Sequence, residues 1–218
     1  MRHSIAASLL TLFIVCIPLH TDAFDWSGVF DRVNPSVVKV LNVGTPYVCS
    51  AFSIHQERQY FLTAAHCIKS GRIILWKEPV PGINPTAVII AVRQVVLKDE
   101  ALDIAVLEAV AGLPSVFRGK SPRRGQEIAS IGYAFGENSP YILAGIVANY
   151  GEERTVPNLK TRQVIVRDFQ DVGGMSGGPV VDTKGRVVGV VQQGIPIDIS
   201  WGSTIEVVYK FTKDYWDS

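Results

Sequence analysis

Three residues in separate parts of the chain have side chains that could together activate a hydroxyl group. They are His66, Asp103 at the head of the apolar run 104–107, and Ser176 within the glycine-rich segment 173–179. A serine hydroxyl is a weak nucleophile at neutral pH and needs a base within hydrogen-bond reach. An imidazole can be that base when a carboxylate fixes its tautomer and stabilises its protonated form. The three residues therefore indicate nucleophilic catalysis by Ser176.

Each residue has a simpler interpretation when it is taken alone. His66 could be a buried histidine with satisfied hydrogen bonds, Asp103 could cap a strand, and segment 173–179 could be a flexible turn. Four glycines surround Ser176, however. They permit backbone conformations that other residues resist, and they leave the serine hydroxyl accessible to a substrate. The joint occurrence of the three residues favours a catalytic site.

A zinc site is the alternative for the residues around the histidine. Cys49, His55, His66 and Cys67 all carry atoms that bind zinc. Their spacing argues against such a site, because the chain has no Cys-x-x-Cys or His-x-x-x-His pair and the adjacent side chains of His66 and Cys67 should diverge. We expect no metal, and no motif indicates an organic cofactor.

The first 23 residues resemble an export signal. A basic start at Arg2 and His3 precedes the apolar run 5–17, and small residues lead up to Ala23. A membrane anchor is the alternative, but this run is shorter than the ~20 residues that a spanning helix needs. We predict cleavage after Ala23, a secreted or periplasmic location, and no stable membrane span after cleavage.

The composition is that of a folded globular protein. The chain has 47% hydrophobic residues, 19% charged residues and a formal net charge of +1 at pH 7. No charged field indicates binding to nucleic acid. Removal of the signal would leave Cys49 and Cys67, which could pair in an oxidising compartment.

The patterning predicts an all-β fold. About eleven short runs rich in valine and isoleucine alternate with glycine, proline and asparagine, which is typical of a barrel or a sandwich. A short helix is predicted at 26–33 and a terminal helix at 206–216. Segment 112–125, which contains prolines and basic residues, is the predicted boundary between two halves.

The motifs at the three candidate catalytic residues resemble those of the trypsin/chymotrypsin-like serine proteases, in the same order along the chain. Residues 30–38 are similar to the start of the bacterial Deg-type proteases, and residues 185–191 resemble the strand that follows the serine in the family. The compact spacing is nearest to the Deg-type branch. The resemblance implies two antiparallel six-stranded β-barrels over residues 24–218, with a C-terminal helix. Deg-type relatives carry a C-terminal PDZ domain, which we do not expect here.

The resemblance also implies the role of each residue. His66 would be the general base and then the general acid, Asp103 would orient it, and Ser176 would be the nucleophile. The backbone N–H groups of Gly174 and Ser176 would form the oxyanion hole. In zymogen-type relatives an aspartate before the serine binds the new N-terminus, but Met175 stands at this position. We therefore expect no activation by N-terminal cleavage.

The remaining site residues come from the same resemblance. Cys49 and Cys67 would form a disulfide. The backbone of Gln192, Gln193 and Gly194 would pair with the substrate peptide.

The floor of the primary specificity pocket would be formed by Gln170 or Asp171. Asp171 would favour basic side chains, whereas Gln170 would favour small or polar ones, and the sequence leaves this choice open. The predicted function is that of a serine endopeptidase acting on polypeptides outside the cytoplasm. A catalytically silent peptide-binding module on the same fold is the alternative.

Overall fold

A computed structural model describes residues 24–217, except for 56, 70, 84, 151–153, 157–158, 162, 168–171 and 196–198. The predicted signal peptide, 1–23, lies outside the described residues. The helices are α1 (Ser27–Val33) and α2 (Ile205–Trp216). The strands are β1 (Val37–Asn42), β2 (Val48–His55), β3 (Tyr60–Thr63), β4 (Ile73–Lys77), β5 (Val88–Asp99), β6 (Ile104–Ala109), β7 (Phe117–Arg118), β8 (Glu127–Gly132), β9 (Tyr141–Tyr150), β10 (Arg154–Val156), β11 (Leu159–Thr161), β12 (Gln163–Arg167), β13 (Pro179–Asp182), β14 (Arg186–Ile195) and β15 (Ile199–Thr204).

The first half of the chain forms a closed barrel with the strand order β1-β2-β3-β6-β5-β4. It closes because β1 pairs antiparallel with both β2 and β4. Branched and aromatic side chains such as Val38, Val40, Phe61 and Leu75 fill one of its core clusters, as expected where they pack on a pleated surface. The all-β class and one six-stranded barrel are thereby confirmed.

The second half forms a sheet with the order β13-β8-β9-β12-β15-β14-β7. β13 also pairs with β14 through Pro179 and Val190. β10 and β11 form a separate two-stranded sheet. β7 lies inside the predicted boundary segment 112–125 and pairs parallel with β14. A second closed barrel, which the resemblance implies, stays a prediction.

The two halves share one hydrophobic cluster. Phe52 and Leu62 from the first barrel belong to it together with Ile131, Val181 and Val190 from the second sheet. Burial of each such side chain contributes about 1.5–3 kcal/mol, so this shared cluster stabilises the packing of one half against the other. The segment after β3 and the turn before β13 are thereby held in proximity.

The terminal helix α2 confirms the prediction at 206–216. Ile205 and Val208 are buried, and the Tyr215 hydroxyl donates a hydrogen bond to the Val96 carbonyl of β5 at 3.2 Å. The helix therefore anchors the end of the chain on the first barrel. Within the described part of the chain, every helix is too short or too polar to cross a membrane.

Candidate active site

The histidine and the aspartate form a close pair. His66 lies on the 3₁₀ turn Ala65–Cys67 that follows β3, and its Nδ1 is 2.8 Å from Oδ2 of Asp103. The backbone N–H of His66 also donates to Oδ1 of Asp103 at 2.9 Å. An ionised carboxylate only accepts hydrogen bonds, so Nδ1 carries the proton and Nε2 keeps its lone pair. This is the tautomer that a general base needs.

Asp103 has a left-handed backbone, with a φ of 54°, immediately before β6. This conformation is uncommon for a residue with a side chain, and the surrounding structure must maintain it. Gln192 does so through its side-chain amide, which donates to the carbonyls of Leu102 and Asp103. The Gln192 amide oxygen in turn accepts a hydrogen bond from Ser203 at 3.0 Å.

This role of the Gln192 side chain was not predicted; the resemblance implied only that its backbone would pair with substrate. The sequence contains a signal for this role, because the amide side chain of Gln192 directly follows the apolar run 187–191. The side chain is only 4% exposed, and a buried amide requires hydrogen-bond partners.

Ser176 lies near His66, but its hydroxyl group does not point toward the imidazole. Its Oγ is 3.5 Å from the carbonyl oxygen of Gln192, to which it donates. Among the hydrogen bonds of the described residues, none joins Ser176 Oγ to His66. The sulfur of Cys67 lies 3.8 Å from His66 Nε2 and 3.6 Å from the Ser176 carbonyl oxygen. The structure therefore brings the two residues against one sulfur atom, with the hydroxyl turned toward Gln192.

Ser50 on β2 holds the turn that carries the serine. Its hydroxyl donates to the carbonyl of Gly174 at 2.7 Å, and its backbone N–H donates to the carbonyl of Ser176 at 2.8 Å. The same hydroxyl accepts from the Tyr133 N–H at 2.8 Å. Ser50 is fully buried. The first barrel thus fixes the backbone of a turn that belongs to the second half.

In this turn the carbonyl groups of Gly173 and Met175 accept hydrogen bonds, and the N–H groups that follow them, those of Gly174 and Ser176, point in the opposite direction. Phe135 donates its N–H to the carbonyl of Gly173 at 2.6 Å, and the Met175 carbonyl is also hydrogen-bonded. In a trans peptide the C=O and the following N–H point in opposite directions. Within the described part of the chain, the N–H groups of Gly174 and Ser176 donate to no acceptor. Two such donors, on peptides 173–174 and 175–176 of one turn, are what an oxyanion hole requires.

Gly174 cannot be replaced by a larger residue without distortion. Its φ is +104°, and a Cβ there would clash with the carbonyl oxygen of Tyr133. Gly173, in contrast, has open space around the position of a Cβ. A Cβ at Gly177 or Gly178 would likewise meet backbone atoms of Ser50 or Ile131, so close approach of another backbone explains three of the four glycines that the sequence places around the serine.

The structure joins Cys49 and Cys67 in a disulfide between β2 and the histidine turn. The two residues are 18 positions apart, and closing a loop of that size contributes about 3 kcal/mol by chain entropy. The expectation that the side chains of His66 and Cys67 diverge is wrong, because they meet at 3.8 Å in the 3₁₀ turn. The sulfurs of Cys49 and Cys67 and a nitrogen of His66 lie within 4.8 Å of one another. Both sulfurs are in the disulfide, however, and the thiolate that binds a metal is absent from it.

Comparison with known proteins identifies the family. A model of the trypsin-like peptidase domain matches residues 49–190, which include all three candidate catalytic residues. The chain belongs to the trypsin-like peptidase family.

Curated relatives include two probable periplasmic serine endoproteases described as DegP-like. One, from Hahella chejuensis, is 31% identical over 228 residues, covering 82% of this chain and 47% of the relative. The other, from Ectopseudomonas mendocina, is 37% identical over 98 residues, covering 44% of this chain and 20% of the relative. The chain thus spans about half the length, or less, of these relatives.

Solved structures of similar fold include a serine endoprotease from Yersinia pestis, with a TM-score of 0.72 and 21% identity over 89% of this chain and 68% of that chain. The HtrA-type protease AlgW has a TM-score of 0.71 and 22% identity, covering 88% of this chain and 64% of that chain. At this level of identity the comparison establishes the fold and not the activity.

The predicted substrate-binding residues are only partly described. Gln170 and Asp171 lie outside the described residues. Gln193 and Gly194 pair with β15, whereas the pairing of β14 with β13 ends at Val190. Among the described strands, only β15 therefore pairs with this part of β14, which leaves one backbone edge for an extended peptide.

A pocket of about 470 Å³ opens beside the histidine. Its lining includes His66, Lys69, Lys98 and Glu100, and the last two form an ion pair at 3.0 Å. The pocket is polar and adjoins the His66 imidazole.

Proposed function

We propose that this chain is a serine endopeptidase that hydrolyses peptide bonds through an acyl-enzyme intermediate. The observation that carries the proposal is the His66–Asp103 pair, which engages Nδ1 and leaves Nε2 as the ring nitrogen available to Ser176. The N–H groups of Gly174 and Ser176 on the serine turn, which donate to no acceptor among the described residues, support the same function. Membership of the trypsin-like peptidase family agrees with it.

In the first chemical step the Ser176 hydroxyl turns from the Gln192 carbonyl toward His66 Nε2 and gives up its proton. The serine oxygen then attacks the carbonyl carbon of the substrate, and the resulting oxyanion accepts hydrogen bonds from the N–H groups of Gly174 and Ser176. Each such donor contributes roughly 3–4 kcal/mol in serine proteases. Asp103 stabilises the imidazolium that forms.

In the second step His66 donates its proton to the leaving amine, the C–N bond breaks, and the acyl group stays on Ser176. A water molecule then gives a proton to His66 and attacks the ester carbon. The proton returns to Ser176 as the acid is released. The histidine thus acts alternately as base and acid, and no proton is gained or lost over the cycle.

The second half of the chain is proposed to close as a second barrel within a protease domain of residues 24–218. The pairing of β13 with β14 supports closure, because these strands stand near opposite ends of the strand order. The proposed boundary between the halves stays at 112–125. The substrate peptide is proposed to pair with Gln192, Gln193 and Gly194 on β14.

Action outside the cytoplasm is proposed on two grounds. Disulfides persist mainly in oxidising compartments, and Cys49–Cys67 is a buried one. The curated relatives are named as periplasmic proteases. Residues 1–23 would then be the export signal. Gln170 or Asp171 is proposed as the floor of the specificity pocket.

Hydrolysis of casein by the mature protein, with Ser176→Ala as the control, tests the proposal. An organofluorophosphate should add one mass increment, on the peptide that contains Ser176. Folded wild-type protein that neither cleaves casein nor takes up the reagent would support the silent binding module instead.

A further inference from the structure

Two lysines of the first barrel are buried at its contact with the second half. Lys39 on β1 is 4% exposed, and Lys77 at the end of β4 is fully buried. Lysine is almost never buried unless its charge is paired. Burial lowers the pKa of Lys77 to about 8, because the loss of solvation outweighs the attraction of the Glu78 carboxylate. Such groups are costly to bury unless their contacts compensate for the lost solvation.

Each lysine makes one hydrogen bond to the turn at residues 133–136 and a second, shorter one elsewhere: Lys39 Nζ donates to Asn138 Oδ1 at 2.8 Å and Lys77 Nζ to Asn34 Oδ1 at 2.9 Å. Lys39 Nζ donates to the carbonyl of Gly136 at 3.1 Å, and Lys77 Nζ donates to the Tyr133 hydroxyl at 3.4 Å. Lys39 Nζ also lies 4.5 Å from the centre of the Trp76 ring, which packs edge-on against Tyr133. The first barrel therefore contacts both ends of this turn, through the backbone carbonyl of Gly136 and the side-chain hydroxyl of Tyr133.

The turn has a backbone conformation that needs such support. Phe135 has a φ of 56° and a ψ of 13°, a left-handed conformation that is uncommon for residues with a side chain. Phe135 is 69% exposed, and its ring makes one edge-on contact, with Tyr141, so burial contributes little to holding it. This conformation directs the Phe135 N–H to the carbonyl of Gly173.

The same turn orients the predicted oxyanion donor. The bond from Phe135 to the Gly173 carbonyl fixes this peptide, so the Gly174 N–H points in the opposite direction within the peptide plane. The carbonyl oxygen of Tyr133 lies so close to Gly174 that a Cβ there would clash. Any shift of residues 133–136 therefore moves Gly174.

We propose that Lys39 and Lys77 are positioning residues that hold turn 133–136 and, through it, the Gly174 N–H in the orientation that binds the oxyanion. This inference rests on the proposed function but concerns residues that do not touch substrate. The two lysines would also anchor the serine turn, which Met175 cannot do through a charge because it is a buried, uncharged residue. The charged groups that anchor the turn would thus belong to the first barrel, whereas in zymogen-type relatives the charge is that of the inserted N-terminus.

The test uses Lys77→Met and Lys39→Met, which keep most of the side-chain volume and remove the ammonium group. Tyr133→Phe removes only the hydroxyl that Lys77 binds, so it keeps the test decisive if a lysine variant does not fold. Lys120→Met, at an exposed lysine, is the matched control. The first measurement is the rate constant for phosphorylation of Ser176 by diisopropyl fluorophosphate. We expect at least a ~10-fold decrease for the lysine variants, since loss of an oxyanion donor costs ~10²–10³-fold, and no change for Lys120→Met.

The second measurement is hydrogen exchange of the unliganded proteins, followed by mass spectrometry. If Lys39 and Lys77 act as a local brace on turn 133–136, exchange should become faster only at 133–138, at 172–178 and beside the substituted residue, whereas general destabilisation would also accelerate exchange in β6 and α2. Wild-type protein that does not react with the reagent, together with this local pattern in the variants, would refute the proposed function and leave the brace supported. Reactive wild-type protein, with variants that match it in rate and exchange, would overturn the brace.

Discussion

The side chain of Gln192 donates a hydrogen bond to the backbone carbonyl of Asp103 at 3.1 Å, across 89 residues of sequence. The carboxylate of Asp103 in turn holds the imidazole of His66 at 2.8 Å. A strand of the second half thereby supports the acid–base pair that the first barrel carries. Since the Gln192 carbonyl also accepts the Ser176 hydroxyl, one residue contacts both ends of the proposed triad.

Gln192→Leu should therefore lower activity without touching the reacting atoms. The substitution keeps the approximate volume and leaves the Leu102 and Asp103 carbonyls without their donor. We expect the free energy of unfolding to fall by ~1–3 kcal/mol and kcat to fall by ~10–100-fold through misplacement of the base. Urea unfolding and casein cleavage measure the two effects. Gln94→Leu, at an exposed glutamine, is the control, and a Gln192 variant with wild-type kcat would contradict the prediction.

The triad residues should act as a unit. We expect Ser176→Ala and His66→Ala each to lose nearly all activity, and the double variant to lose little more, because neither residue accelerates the reaction without the other. Rates on one peptide substrate, compared with the rate in water, measure this. Additive losses in the double variant would mean that His66 and Ser176 act independently.

Gly174→Ala should be far more damaging than Gly173→Ala. An added methyl group at Gly174 would meet the Tyr133 carbonyl and require a φ of +104° from a residue with a side chain. Displacing this N–H should lower kcat by ~10²–10³-fold. Gly173→Ala has open space and should keep most of its activity, which makes it the matched control. Equal activities of the two variants would exclude Gly174 as an oxyanion donor.

The disulfide should stabilise the protein without taking part in catalysis. The double variant Cys49→Ala/Cys67→Ala should lose about 3 kcal/mol of unfolding free energy, since the unfolded chain is no longer constrained. Denaturant unfolding measures this loss, and added reductant should destabilise the wild type but not the variant. Purified exported protein that reacts with a thiol reagent before unfolding would show that the bridge is not formed.

The buried amine of Lys77 should make stability rise with pH. Its pKa is lowered from 10.5 to about 8 in the folded state, so both states are protonated below pH 8 and the cost of burying the charge is then fully present. Between pH 8 and 10.5 the unfolded chain binds more protons than the folded one, and the free energy of unfolding gains up to about 3 kcal/mol. Urea unfolding at several pH values, with Lys77→Met as the comparison, isolates this group. The wild type and the variant should converge as pH rises, and parallel curves would mean that Lys77 is solvated in the folded protein.

Local sequence patterns determined the chemistry-bearing residues and the fold class. Short β-branched runs indicate strands because alternate side chains on a strand face one core, and α2 follows from its apolar periodicity. The glycines around Ser176 indicate a tight turn because their backbone freedom is a local property. The strand β15 has little such signal in the sequence, since its residues, Ile199–Thr204, include a glycine and small polar side chains.

Only the tertiary structure decided which residues support the site. The bond from Lys39 to Gly136 spans 97 residues, and a contact of that kind leaves no periodic trace in either segment. Whether a lysine or a glutamine is solvated or buried against a catalytic turn depends on how the two halves pack. The direction of the Ser176 hydroxyl is likewise a rotamer set by its neighbours. Residue types and backbone demands are local properties that a sequence displays, whereas hydrogen-bond partners brought together by packing arise only in the folded chain.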